Sequence, residues 1–353
     1  FSDSDVQLLE RLSLSIDQLW EEHTNQLRKI REDTTDTFPF FGHDEIKKHE
    51  TSLHLKDKKL KQEIFSEGIK NSSPYRRLKL AMDYWCALWF WPIQQADQLP
   101  SRDSFLLELQ YILKGSAVME HGNEDESGQI HLFAETAPKQ QQMELAEKLG
   151  YVDVDKLCKE FQRLELVQQI ADQQRFLHWE LEFADLFADR GGFDLVVGNP
   201  PWIQIKWDES GLLGDAQPLF AVKKLSAARV AELRNETIEQ FGLSDAYYNE
   251  YEGLAGTQNF LNATSNYPLL HGQKANLFKC FLPQAWMISG EKGVSGFVHP
   301  EGPYDDPKGG VLREFLYKRL RFHAQFDNEL KLFSEVHHCT KFSLNIYGNP
   351  IGT

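Results

Sequence analysis

The sequence predicts an α/β protein in which a mainly helical block, residues 1–173, precedes part of a parallel sheet, residues 174–353. Three observations carry that reading. Leu8, Leu9, Leu12, Ile16, Leu19 and Leu27 keep a 3.6-residue spacing opposite a charged face, which predicts a helix over residues 1–35. A short apolar run, residues 195–197, reads as a buried parallel strand and is stopped by Gly198 and two prolines that cannot donate to a ladder. From Asn276 onward, helix and strand patterns alternate, which implies a parallel sheet with helices on its faces.

Composition bounds the alternatives. At 353 residues the chain can hold one large core or two ordinary ones, and 41% hydrophobic with 26% charged residues is the balance of a soluble globular protein. No stretch approaches the roughly 20 uninterrupted apolar residues of a membrane helix, and residues 1–20 lack a signal-peptide pattern. The chain opens on Phe1 rather than Met, so a piece of a longer protein is expected. Cys86, Cys158, Cys280 and Cys339 are widely spaced without a Cys-x-x-Cys pair, which predicts reduced, buried thiols in a cytoplasmic protein. The net charge of −15 supplies no global basic field for nucleic acid. It counts against a complete DNA-binding protein, yet leaves room for a catalytic core whose grip on DNA comes from elsewhere.

In chain order, residues 44–70 are highly charged and read as a solvated helix or a long coil-like strut. Ser73-Pro74 marks a helix start, with proline at the first helical position, and residues 75–91 read as a central helix apolar nearly all round. A helix follows over 104–113, a polar acidic loop over 121–129 from which no metal site is read, and helices over 139–149 and 153–173. Residues 176–183 read as extended, and 184–188 as a short helix before the turn Asp189-Arg190-Gly191-Gly192. The long excursion at 205–270 reads as irregular and polar with one helix, 226–241, opened by Ser226. Its lysines, arginines and tyrosines fit either a nucleic-acid contact or a solvated helix with a packed underside. Residues 276–288 read as helix, Gly290-Glu291-Lys292-Gly293 as a tight turn, 294–298 as strand and 311–320 as helix after Gly309-Gly310. Strands at 321–326 and 342–347 are joined by a loop carrying His337 and His338, a link short enough to insert the last strand antiparallel.

The candidate site is the turn Asn199-Pro200-Pro201-Trp202 just past the strand end, where open α/β sheets bind ligands. Its chemistry suits transfer to an exocyclic or planar amino group, whose lone pair is delocalised and poorly nucleophilic. A site helps by accepting both N–H hydrogens in fixed directions, drawing the nitrogen toward tetrahedral geometry. Asn199 offers a side-chain carbonyl, and Pro200 a backbone carbonyl held by restricted φ. Pro201 limits the flexibility that blurs such geometry, and Trp202 offers a face for an extruded base. The bland alternative is an ordinary turn with a packed tryptophan.

Phe193-Asp194-Leu195-Val196-Val197-Gly198-Asn199-Pro200-Pro201-Trp202, preceded by Phe176-Leu177-His178-Trp179-Glu180-Leu181, resembles the amino-group DNA methyltransferases of the Eco57I type. These are restriction–modification enzymes and large methylases of phage defence. Residues 73–85 are similar to that family's helical insertion, while 276–288, 294–300, 312–313 and 332–342 resemble its later motifs. The resemblance implies part of a Rossmann-like methyltransferase sheet with S-adenosylmethionine as donor and the N6 of a flipped adenine in duplex DNA as acceptor. Asn199 and Pro200 would then hold the amino group and Trp202 would stack on the base, while Phe342 would either touch the base's other face or, as a strand residue, belong to the core. The aromatic after Pro-Pro is commonly Tyr in the family. No Phe-x-Gly-x-Gly donor turn occurs in the sequence, so the first strands are expected ahead of Phe1 and a target-recognition domain after Thr353. This fragment alone is expected to be inactive. Glutamine or RNA methylases with the same turn, and a non-catalytic scaffold, are the competing readings. The nuclease-like letters in Asp327-Asn328-Glu329-Leu330-Lys331 fall between strands already accounted for.

Overall fold

The computed structural model describes residues 2–34, 73–115, 152–223, 225–273 and 276–351. The expectations for 44–70, 121–129 and 139–149 lie outside these residues. Two compact units are present: residues 1–87 with 98–189, and residues 88–97 with 190–353. The sequence places its change of character near Phe176, whereas the first unit runs on through Asp189.

The first unit is helical: α1 (Asp3–Thr34), α2 (Pro74–Ala87), α3 (Arg102–Lys114), α4 (Val154–Glu160), α5 (Gln162–Gln174), α6 (Trp179–Glu182) and α7 (Ala184–Arg190). Leu12 and Leu19, on the predicted stripe of α1, meet Leu78, Leu113 and Leu181 in its core. Proline opens α2 as expected, but the helix ends at Ala87 rather than Trp91. Pro92 disfavours helical backbone at Trp91, and its ring opposes the carbonyl four residues earlier. Trp85 is exposed, so α2 is not apolar-packed all round. One of its inward positions is the buried Arg77, which donates to the Ile112 and Leu113 carbonyls at the end of α3. The predicted 153–173 helix is two, broken where Phe161 takes extended φ/ψ.

Residues 176–183, expected to be extended, contain α6 instead. A run this short fits either period by pattern alone. Tertiary contacts decide it: Leu181 is buried, the Trp179 and Phe183 rings stack across one turn at 5.9 Å, and His178 Nε2 pairs with Asp83 Oδ1 at 2.8 Å.

The second unit is built on a mixed sheet of β1 (Phe193–Gly198), β2 (Ser289–Pro300), β3 (Leu320–Asp327) and β4 (Lys341–Tyr347), in the order β1-β2-β4-β3. β1 and β2 are parallel; β4 is inserted antiparallel between β2 and β3, as the short link predicts. The turn into β1 depends on glycine. Gly191 and Gly192 have φ of 72° and 136°, and a Cβ on Gly192 would lie 2.5 Å from the Ile288 carbonyl oxygen, a clash on top of the backbone strain. Gly290-Glu291-Lys292-Gly293 is not a turn between elements. It is an irregularity within β2, between the Phe193–Ser289 and Leu195–Val294 pairings, so the strand starts earlier than expected.

The sheet is covered on one face. Leu282 and Ala285 of α12 (Leu277–Ile288) and, after the short α13 (Gly302–Asp305), Leu316 of α14 (Gly310–Arg319) pack with Phe297 and Tyr347. β1 is an edge strand, and its apolar run is not buried as expected: Leu195 is 63% and Val197 72% exposed. Val294, Leu344, Phe322 and Phe326 are also exposed. By register Val294 pairs with Leu195, and Leu344 and Phe322 alternate with the buried Asn345 and Tyr347 of β4. Among the described residues helices therefore flank one face of the sheet, not both.

The excursion after Trp202 is helical rather than irregular. It holds α8 (Glu209–Ala216), α9 (Leu219–Val222), α10 (Ala227–Phe241) and α11 (Ser244–Asn262). Ser226 caps α10 as predicted, accepting from the Arg229 amide at 3.4 Å. Leu213, Phe220 and Val230 form a small core of their own. α11 leaves no periodic signal in the sequence because Gly256 and Leu261 are its buried positions, too sparse a stripe to show a period. Its side chains bind neighbours instead: Glu252 accepts from the Ile93 amide at 2.6 Å, and Trp207 lies edge-on to both Tyr247 and Tyr251 at 5.3 Å.

Candidate active site

β1 delivers the turn. Its last residue, Gly198, pairs with Phe297 of β2, and a Cβ there would meet the Phe297 ring at 3.4 Å. Asn199 follows, exposed and without a hydrogen bond to any described residue; Pro200 is buried and Pro201 exposed. Burial of Pro200 under an exposed Asn199 seats the turn while leaving the amide side chain available. Trp202 is half-buried, and its Nε1 donates to the Val298 carbonyl at 3.3 Å, tying the ring to β2. The next residues fasten the exit: the Ile203 carbonyl accepts from the Leu277 amide at 3.0 Å, and Gln204 bridges Asn276. Both ends of the Asn-Pro-Pro-Trp segment are thus anchored to regular structure.

Trp202 has aromatic neighbours that sequence reasoning did not assign to it. Its ring lies 4.8 Å from Phe333 and 5.8 Å from Phe342, and those two meet edge-on at 5.0 Å. Phe342 also stacks with Phe326 at 5.6 Å and is only 5% exposed. The structure thus brings Phe342 to the site as packing behind Trp202. Phe333 was legible as an aromatic in a motif-like stretch, but its place came from the β3–β4 loop. That loop is held by the fully buried Asn328, which donates to the Phe333 and Val336 carbonyls at 2.9 and 3.0 Å. Asn328 sits in the stretch with nuclease-like letters, and its bonds are those of a loop clamp.

Beneath the site lies a buried polar cluster from β2, β4 and their neighbours. His299 is fully buried; its Nδ1 donates to the Pro300 carbonyl at 2.8 Å, since a carbonyl can only accept. Nε2 therefore accepts, from Tyr347 Oη at 2.8 Å and Asn345 Nδ2 at 3.0 Å. Asn345 Oδ1 in turn accepts from Tyr304 and from His323 Nδ1, at 2.6 and 2.8 Å. This net fixes the strand end beside the turn.

Burial holds the His299 imidazole down to about 4 from an ordinary 6.5. The unfolded chain takes up its proton near 6.5 and the folded one only near 4, so this contribution is complete above 6.5 and is lost as pH falls toward 4. The shift corresponds to about 3 kcal/mol. Denaturant melts of the wild type should therefore lose stability between pH 6.5 and 4.5 by more than those of His299→Gln; parallel losses would refute the assignment.

The cysteines divide. Burial pushes the Cys158 and Cys280 thiols up to about 12, as expected of inert core residues, but Cys339 is exposed, against expectation. Its position on the β3–β4 loop explains the difference.

The described residues do not fit a donor cradle for S-adenosylmethionine. Gly191-Gly192 precedes β1 rather than following a strand, with Gly192 against the Ile288 carbonyl. Gly309-Gly310 opens α14 with Gly309 against Arg313 and the Asp306 carbonyl. One glycine of each pair, Gly192 and Gly309, is packed against the fold itself, and neither pair follows a strand end. Among the described residues no helix is long and apolar enough to cross a membrane.

The family described as Eco57I restriction-modification methylase matches residues 11–223, which takes in the helical block, β1 and the Asn-Pro-Pro-Trp turn. No curated protein and no solved structure matches the chain. Because the family match spans more than half of the sequence and includes the anchored turn, the chain belongs to the Eco57I restriction-modification methylase family.

Proposed function

We propose that this chain carries the acceptor half of an adenine-N6 DNA methyltransferase site, built on Asn199, Pro200 and Trp202. Family membership supports methylation of DNA adenine, with S-adenosylmethionine as the methyl source, in general terms. The observation that carries the finer reading is the combination at the turn: an exposed Asn199 with no hydrogen bond to any described residue, directly before the buried Pro200. An amide side chain left unpaired on an anchored turn is suited to binding an incoming group.

In this reading Asn199 Oδ1 and the Pro200 carbonyl accept the two N6 hydrogens of an extruded adenine. The nitrogen lone pair is drawn out of conjugation with the ring and exposed to attack on carbon. Asn199 is neutral, so it does not compete as an anion for a cationic donor. Trp202, fixed by its bond to Val298 and backed by Phe333 and Phe342, provides the stacking surface. Stacking of this kind is worth about 1–3 kcal/mol per base. Pro201 restricts the chain between the two. The donor cradle is supplied by further strands that pair with the open edge of β1 and by elements that pack on the face where Leu195 and Val197 are exposed. The chain by itself therefore binds S-adenosylmethionine weakly or not at all. Target recognition in duplex DNA lies in additional sequence, in keeping with the net charge of −15.

Labelled methyl transfer by the complete enzyme tests this. Label is expected on adenine N6 of duplex DNA; label on a release-factor glutamine or on RNA, with none on DNA, would replace the reading with one of its competitors.

A further inference from the structure

The β3–β4 loop brings His337, His338 and Cys339 together on its exposed side, with one ligand atom from each lying within 4.8 Å of the others. The two imidazole ring centroids are 4.3 Å apart. We propose that this triplet is a binding site for a borderline-soft divalent transition ion, Zn²⁺ foremost, through two imidazole nitrogens and the Cys339 thiolate, with solvent in the fourth position.

The donor set decides the class of ion. Two nitrogens and one sulfur suit Zn²⁺ or Co²⁺, whereas Mg²⁺ and Ca²⁺ take oxygen ligands. Tetrahedral coordination at ordinary Zn–N and Zn–S lengths places donors about 3.5 Å apart. Closing from within 4.8 Å requires side-chain rotation of roughly 1 Å, which three exposed side chains can supply without moving the backbone. Coordination releases one proton, from the Cys339 thiol.

The backbone that presents the ligands is already set. Besides its bonds to the Phe333 and Val336 carbonyls, Asn328 accepts from the Phe333 amide at 3.0 Å, and the Thr340 amide donates to the His337 carbonyl at 3.0 Å. The Cys339 amide donates to His337 Nδ1 at 3.2 Å, holding that ring against the residue that provides the thiol. An arriving cation competes with this amide for the Nδ1 lone pair, so the site trades one weak hydrogen bond for coordination. Three consecutive ligands do not match the separated pairs by which zinc sites are read from sequence, so the loop's closure and not its spacing reveals the cluster.

The loop that would hold the ion also carries Phe333, 4.8 Å from Trp202. A bound ion therefore stiffens the wall behind the stacking residue. That coupling rests on the methylation reading, whereas metal binding itself does not.

Titration of the reduced, untagged full chain with Co²⁺ tests the binding. One equivalent should produce thiolate-to-cobalt charge-transfer absorption that Zn²⁺ abolishes. Cys339→Ser should remove the absorption and His338→Asn should weaken binding at least tenfold, both with unchanged circular dichroism because the side chains are exposed. Absence of the band in the folded wild type, or its persistence in Cys339→Ser, would overturn the proposal. Neither result depends on whether the protein methylates DNA.

Discussion

Replacing Asn199 with alanine in the complete enzyme should lower the rate of adenine methylation by about 10²–10³-fold, the cost of removing one preorganised hydrogen-bonding group aimed at the reacting atom. Expressed as a barrier, that is about 3–4 kcal/mol. The side chain is exposed and bonds to no described residue, so the folded state loses nothing with it. The unfolding free energy should change by no more than about 0.5 kcal/mol, as for a neutral surface substitution. The expected combination is a large loss of rate with no loss of stability. Asn199→Asp separates two further ideas. It keeps an acceptor but adds a negative charge beside a cationic donor, so partial activity points to hydrogen bonding as the main contribution. Single-turnover rates on duplex DNA, with thermal melts of the same preparations, would check this. A wild-type rate in Asn199→Ala would remove Asn199 from the mechanism.

Phe342 yields the second large effect, and it runs the opposite way. At 5% exposure, in contact with Phe326, Phe333 and Trp202, it is a core residue first. Truncation to alanine should cost about 3–5 kcal/mol of unfolding free energy, the usual range for a buried Phe→Ala. Activity should fall with it as Trp202 loses its backing. Phe342→Leu keeps much of the volume and should be far milder in stability. If Phe342 acts only through Trp202, the leucine variant methylates within a few-fold of wild type. If the ring itself touches the base, the leucine variant stays folded but KM for DNA rises at least tenfold. Denaturant melts and steady-state kinetics on the pair distinguish these outcomes, and the packing of Phe342 against Trp202, Phe326 and Phe333 predicts the first.

The candidate turn was legible in the sequence because its signals are local. Gly198 and the two prolines stop a strand whatever surrounds it, and an amide and an aromatic beyond a strand end are placed by backbone geometry alone. The same holds for Pro74 opening α2, Ser226 capping α10 and the short link that inserts β4 antiparallel. Each of these depends on steric or hydrogen-bonding limits within a few residues.

What the sequence could not decide were the features set by distant partners. Leu195 and Val197 have the composition of a doubly buried strand, yet their burial depends on elements that pack from outside, and here they face solvent at a sheet edge. Residues 176–183 fit two periods, and the pairing of His178 with Asp83 beside the buried Leu181 selected the helix. α11 forms with few buried positions because its side chains bind residues far away in sequence, including Ile93. The aromatic wall of Phe333 and Phe342 behind Trp202, and the gathering of His337, His338 and Cys339, likewise arise from loop closure between β3 and β4. By itself, then, the sequence determined where elements start and stop and which chemistry sits at the end of β1. The tertiary structure decided which surfaces are covered and which side chains meet, because burial and pairing belong to contacts between segments and not to any one segment.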